Sequence, residues 1–491
     1  MRPMRSSILL LITGAALLVG CARDAVAPAT PVTGPMASVR GTLSATSASG
    51  KYLVLFRNQA VPRDLKDRVG KLGGAVRYSH PAGLAVVDGI DAAGAAQLAS
   101  GPDVTLVEAD FPVSLEPPVR SGLTSIAPPQ AQSQGDPASA ALVSWQWNMR
   151  DIKADQAWAA GKLGSSSVTV AILDTGIDYD DYDLDGLVDL SRSTSFVPSD
   201  DELTATYFPD RNPITDYNGH GTNVAAQVSS NAVAFAGVTS KTTLIGVKVL
   251  GADGIGTAGG VLEGVLWAAD HHADIANMSL GSEFARAGNR DFIKLIDRVF
   301  SYATRKGMLV VVAAGNESLN LDQDDIFAAY CSVWQVVCVS AVGPTTPTGN
   351  PDEFAFYSNY GRKEIDVAGP GGNGGVAESD WPWGPDAYSW VWSLCSKTAL
   401  AGLQPDGTPV LLGCQSGNYI LGYIGTSQAT PHATGVAALI AARVGHGRPG
   451  VVRLLLQATA DRVDHLLLSP QYGTGRVDAA RAARVSPFAF R

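Results

Sequence analysis

The sequence predicts an α/β protein, a mainly parallel sheet with helices on both faces, preceded by a small α+β unit. Three observations carry this. Strand-like runs at 168–173, 243–249, 275–280, 309–313 and 336–341 alternate with helix-like runs at 220–229, 259–271, 292–305 and 430–444. Such alternation favours parallel strands joined by helical crossovers. The strand runs are apolar at nearly every position, as strands buried on both faces are. Finally, 46% hydrophobic and 17% charged residues describe a chain that builds cores. Its 491 residues suggest two or three domains.

Taken from the N-terminus, residues 1–20 read as a targeting segment. Arg2 and Arg5 precede an apolar stretch, 8–20, too short to span a bilayer as a helix. Leu18-Val19-Gly20-Cys21 resembles a bacterial lipobox, in which Cys21 would be lipidated and become the mature N-terminus. A plain secretory signal is the alternative. Ala22 follows, which implies an outer-membrane or cell-surface anchor, with release after processing also open. Residues 21–49, rich in Ala, Pro, Ser, Thr and Gly, form a flexible tether. Residues 50–116 form a compact unit, with strands at 51–56, 84–87 and 104–108 and helices at 64–72 and 91–98. Residues 117–143 lack an apolar period and read as a linker, and 144–491 form the main domain.

The chemistry sits at element ends in that domain. The run 168–173 ends in Asp174-Thr175-Gly176, at the carboxyl end of a strand, where open α/β sheets place their ligands. Asn218-Gly219-His220-Gly221-Thr222 opens a helix. Gly425-Thr426-Ser427-Gln428 sets a serine at another helix start, where an N-cap is the plain structural reading. A hydroxyl is a weak nucleophile until an imidazole takes its proton and a carboxylate holds that imidazole. Asp174, His220 and Ser427 supply these groups. Ala313-Ala314-Gly315-Asn316 follows a strand, so the Asn316 amide is placed to donate to a developing oxyanion, though Gly-Asn also makes ordinary turns.

These stretches, with Asn277-Met278-Ser279-Leu280-Gly281, resemble the subtilisin-like (subtilase) serine peptidases over roughly 145–480. The resemblance implies a subtilisin-like fold and an endopeptidase that cuts peptides or proteins through an acyl-enzyme on Ser427. His220 would be the general base, Asp174 its orienter and Asn316 the oxyanion donor. Ser279, Leu280 and Gly281, with Ala314 and Gly315, would flank the substrate's P1 side chain in an open pocket tolerant of apolar groups. No cofactor is required for this chemistry. The family usually has methionine after the serine, whereas this chain has Gln428. Residues 50–116 resemble the family's propeptide inhibitor domain by pattern, their tail threading the site and being cut in a self-processed zymogen.

Asp183 also matches an aspartate that binds calcium in many subtilases. It lies in a loop, 178–186, that crowds five carboxylates into nine residues. A solvated acidic loop is the alternative. Cys331, Cys338, Cys395 and Cys414 are even in number, as in exported disulfide proteins, and the sequence-local pairing is the simplest of three. Buried thiols are the alternative. His271 and His272 read as exposed helix residues without metal-site spacing, and the tryptophans at 381, 383, 390 and 392 as a packing cluster, with a substrate-contacting loop as the alternative. A net charge of −10 argues against nucleic acid as a partner. Two other classes remain. A binding protein on this scaffold predicts a missing triad member. An α/β-hydrolase lipase predicts Gly-x-Ser-x-Gly and the order Ser, Asp, His. Neither fits.

Overall fold

The computed structural model describes residues 50–115, 120–125 (backbone only), 135–323, 325–346, 348–374, 389–404, 406–414 and 419–486. Cys21, Trp381 and Trp383 lie outside them.

The N-terminal unit is an antiparallel sheet in the order β2-β3-β1-β4, from β1 (Tyr52–Phe56), β2 (Ala75–His80), β3 (Leu84–Asp88) and β4 (Val104–Ala109). Helices α1 (Leu65–Lys71) and α2 (Ala92–Ala99) supply Leu65, Val69, Ala95 and Leu98 to a core with Tyr52, Val54, Phe56 and Val87. The sequence pattern missed β2, because its side chains alternate between exposed and half-buried and only His80 is buried.

Two strands follow, β5 (Pro112–Ser114) and β6 (Arg120–Ser125). The second corrects the expected linker: part of 117–143 is a paired strand. Its partner strand lies about 300 residues further on, so no local pattern announces it.

The main domain continues through α3 (Trp147–Asp151), α4 (Ala154–Ala159), β7 (Thr169–Asp174), β8 (Thr194–Ser195), α5 (Pro198–Tyr207), α6 (His220–Val228), β9 (Thr243–Lys248), β10 (Ile255–Thr257), α7 (Ala258–Asp270), β11 (Ile275–Met278) and β12 (Ser282–Ala285). Then come α8 (Arg290–Arg305), β13 (Leu309–Ala313), β14 (Ile326–Ala329), β15 (Val337–Val342), β16 (Val367–Pro370), β17 (Val391–Leu394), β18 (Leu400–Leu403), β19 (Pro409–Leu411) and β20 (Tyr419–Ile424). Three helices close the chain: α9 (Thr426–Val444), α10 (Pro449–Thr459) and α11 (Ala479–Ala482). Seven parallel strands run in the order β16-β15-β13-β11-β7-β9-β8. Every residue of β7, β11, β13 and β15 is buried, and two large clusters divide the apolar side chains between the faces. The expected α/β architecture is present.

Helix α9 crosses one face closely because it is built from small residues. A Cβ on Gly435 would stand 2.5 Å from Val238. Cys331–Cys338 and Cys395–Cys414 are bonded. Trp390 and Trp392 stack at 5.6 Å, Trp145 meets Trp392 edge-on, and Trp147 Nε1 donates to the Trp390 carbonyl. The histidine pair differs from expectation: α7 ends at Asp270, so His271 stacks on Trp267 and His272 turns away with φ +59°.

The acidic loop is paired internally. Arg211 binds Asp178 at 2.7 Å and Asp180 at 2.8 Å, and the Lys397 amide donates to Asp178. Asp183 accepts from the backbone amides of Val233, Ala234 and Phe235 at 2.5–3.3 Å. A Ca²⁺ ion needs oxygen lone pairs, and here three N–H groups take them. The expected calcium ligand is therefore corrected to an amide anchor: the donor set at Asp183 does not fit a cation.

Two predictions follow from burial. Asp183→Ala strands three amides and should cost on the order of 3 kcal/mol. Chelator should leave the wild-type Tm unchanged, and a chelator-dependent fall that vanishes in the variant would restore the cation. The second concerns a cavity of about 260 Å³ between the N-terminal unit and α7, lined by Lys51, Arg77, Asp88, Asp110 and Glu263. Burial, then the Asp110 charge, push Glu263 from 4.5 up to about 8. The folded state thus holds this proton more tightly than the unfolded chain. Its contribution is full below the unfolded value and is lost as pH rises through the folded one. In a Ser427→Ala background, which removes the hydroxyl expected to cut the chain, Tm should fall between about pH 5 and about pH 8, and Glu263→Gln should flatten that fall.

Candidate active site

Asp174 is the last residue of β7, His220 the first of α6 and Ser427 the second of α9. Asp174 Oδ1 lies 2.8 Å from His220 Nδ1 and also accepts from the Thr175 amide. With Nδ1 donating to a carboxylate, Nε2 is the acceptor of a neutral ring. That Nε2 has no hydrogen-bond partner among the described groups. Both side chains are buried, and the Tyr423 ring lies 5.5 Å from the imidazole.

The two turns meet because both use glycine. A Cβ on Gly221 would stand 2.1 Å from the Gly176 carbonyl oxygen, and Gly176 itself has φ +115°. Asp216 locks them. Its carboxylate accepts from the amides of Asn218, Gly219 and Thr222 and from the hydroxyls of Thr175 and Thr222. Thr175 Oγ1 in turn accepts from the Gly221 amide. Motif reading passed over Asp216; its signal was an aspartate two residues before an Asn-Gly turn, where carboxylates hydrogen-bond the following backbone.

Ser427 is held from the neighbouring strand end. Pro431 has no N–H to give to the carbonyl four residues earlier in α9, so the Ser427 oxygen is left over. Ser279 Oγ fills it at 2.8 Å. In return Ser427 Oγ donates to the Ser279 carbonyl at 3.2 Å. The nucleophile candidate therefore points at Ser279 here, and its bond to His220 Nε2 is not made. Catalytic hydrogen bonds often tighten only with substrate bound.

Asn316 Oδ1 accepts from the amide and hydroxyl of Thr426, which fixes the side chain and leaves Nδ2 as a donor without a partner. A Cβ on Gly425 would lie 3.5 Å from that nitrogen. Gln428 is fully buried with neither side-chain atom bonded, while its carbonyl accepts from His432. Burial drops the His432 pKa to about 4, so this second imidazole is neutral.

The predicted pocket residues sit together, since β11 and β13 are adjacent. Ser279 is bonded to Ser427 as described. Leu280 and Ala314 belong to the core, Gly281 is buried and Gly315 takes φ +103°. Behind Gly315 stand groups that sequence reasoning missed. Asn359 Nδ2 reaches the Ala314 carbonyl, Glu317 and Glu283. Burial raises both carboxyls, Glu283 to about 8. Among the described residues no group of three His, Cys, Asp or Glu is placed to hold a metal ion.

β5 pairs antiparallel with β10, Val113 opposite Gly256, and the Leu115 amide donates to the Gly254 carbonyl. Asp110 accepts from the Gly259 amide in the first turn of α7.

Comparison with known proteins shows the family and the fold. The model of the subtilase family matches residues 165–475. Alkaline elastase YaB of Bacillus sp. is 29% identical over 90% of this chain and 93% of its own length. Subtilisin BL of Lederbergia lenta is 30% identical over 69% of this chain and 98% of its own. The epidermin leader peptide processing serine protease of Staphylococcus aureus superposes with a TM-score of 0.65 at 20% identity, covering 89% of this chain and 99% of that one. Fervidolysin from Fervidobacterium pennivorans gives 0.63 at 20% identity over 92% of this chain and 63% of that one. With its family model matched across most of the main domain, the chain belongs to the subtilase family and is a serine endopeptidase.

Proposed function

We propose that this peptidase is exported, made as a self-processed zymogen and anchored by lipid at Cys21, with Asp174, His220, Ser427 and Asn316 as its machinery. The observation that carries the site is the Asp174–His220 hydrogen bond at 2.8 Å, which leaves Nε2 without a partner. In the reaction, Nε2 takes the Ser427 proton as Oγ bonds the peptide carbon. The Asn316 amide donates to the oxyanion. His220 then protonates the departing amine, and water, deprotonated by the same nitrogen, releases the acyl group.

The zymogen reading rests on β5. Residues 50–116 would act as inhibitor and 144–491 as peptidase. Pro112–Ser114 lie as a strand along β10, the pose an extended peptide takes by strand addition. Cutting would fall between 109 and 143. The export and anchor readings rest on the sequence alone: the Arg2-Arg5 start, the short apolar run and Cys21.

A fluorophosphonate probe should label the wild type and not Ser427→Ala, which should also accumulate uncut. Asn316→Ala should lower kcat by about 10²–10³ with little change in KM. Labelling of Ser427→Ala would end the nucleophile assignment. Separately, Cys21→Ser should abolish palmitate incorporation and leave the protein out of the membrane fraction; acylation in the variant would defeat the anchor.

A further inference from the structure

Strand β20 runs into Gly425 and the helix that carries Ser427, with β17 on one edge and β6 on the other. β17 ends at Leu394, and Cys395 and Cys414 then close a loop that lies outside the seven-stranded sheet. Both half-cystines are buried against Leu421 and Tyr423 of β20, and the Tyr423 ring in turn meets His220. The β18–β19 hairpin, Leu400 opposite Leu411, forms the far part of the loop, with Leu403 exposed to solvent.

The near part, 396–400, lies along the turn that opens α6. Asp216 turns its carboxylate inward and its carbonyl toward this loop. Ser396 Oγ donates to that carbonyl at 2.7 Å and Thr398 Oγ1 at 2.9 Å. The Leu400 amide donates to the Tyr217 carbonyl at 2.8 Å. The side chains of Leu421 and Ala399 flank Gly219, 3.3 and 3.7 Å from where a Cβ would stand. Asn223, in the first turn of α6, donates to the Leu421 carbonyl at 2.8 Å. Asp216 and Tyr217 are fully buried, so a carbonyl that lost these donors would have no water to replace them. The segment 396–400 has anchors of its own. Cys395 is fixed covalently at one end, and near the other the Ala399 carbonyl accepts from the Leu412 amide at 2.7 Å.

We propose that the loop closed by Cys395–Cys414 is a positioning clamp for His220, with Ser396 and Thr398 as its contact residues. The proposal rests on the reading of His220 as general base and Ser427 as nucleophile. The Asp216 carboxylate fixes the His220 turn relative to Asp174. The loop fixes the outer side of that turn relative to β20, and β20 leads directly to Ser427. The clamp therefore sets the separation of imidazole and hydroxyl, the contact that the Asp216 carboxylate does not govern. A misplacement of about 1 Å between such groups can cost about 10²-fold in rate.

The test measures kcat and KM of the mature protein on a casein peptide that the wild type cuts, far below the Tm of each variant. Ser396→Ala/Thr398→Val keeps the disulfide and removes both hydroxyls. It should lower kcat about 10- to 100-fold and leave KM within about twofold. Ser396→Ala/Thr398→Ser returns one hydroxyl to the Asp216 carbonyl and should recover most of that loss. Cys395→Ala/Cys414→Ala should lower kcat to a similar degree. Joining it to Ser396→Ala/Thr398→Val should add little, because both sets act on one turn. Unchanged kcat without the two hydroxyls, a loss that the returned hydroxyl does not reverse, or losses that simply add would each overturn the clamp. If the cysteine variant does not accumulate, the hydroxyl variants alone decide. Any of these failures with wild-type Ser427 still labelled by fluorophosphonate leaves the nucleophile standing. Absence of that labelling would remove the nucleophile and this proposal with it.

Discussion

The site depends on one buried carboxylate. Asp216 is fully buried and accepts five hydrogen bonds, all from neutral donors, on both the turn after Asp174 and the turn that opens α6. A buried carboxylate is tolerated only when its lone pairs are met. Once they are, it resists displacement of any donor. That rigidity sets the spacing between Asp174 and His220, which the close approach of Gly221 to Gly176 makes sterically available.

Around this lock the sheet acts as a platform. Ends of β7, β11 and β13 lie side by side, so residues distant in sequence arrive at one edge. Pro431 shows how a defect can serve such an arrangement. Its missing donor frees the Ser427 carbonyl, and Ser279 ties the helix to the strand there. The polar cluster of Glu283, Glu317 and Asn359 behind Gly315 sits next to this tie. The apolar pocket expected at Ser279, Leu280, Gly281, Ala314 and Gly315 did not contain it.

Legibility followed the range of the interactions. Buried parallel strands declare themselves through continuous apolar runs, so 309–313 was placed to the residue and the other central strands to within about two. Glycine turns next to Asp, His and Ser marked the triad candidates because the backbone there permits little else. Strand β6 was invisible, since its pairing lies far away in sequence. Asp183 misled because an aspartate's chemistry is the same whether a cation or three amides come to meet it. Glu283 lies in β12, whose partner β14 is also remote.

The pairing of β5 with β10 and of β6 with β20 has a consequence for timing. Each strand is held by its own ladder, so hydrolysis within 116–119 would sever a tether and break none of those hydrogen bonds. The nicked molecule would persist as two fragments at high effective concentration. Emergence of free enzyme would then be governed by how fast the fragments part, and a cut visible under denaturing conditions would leave the native particle unchanged in size.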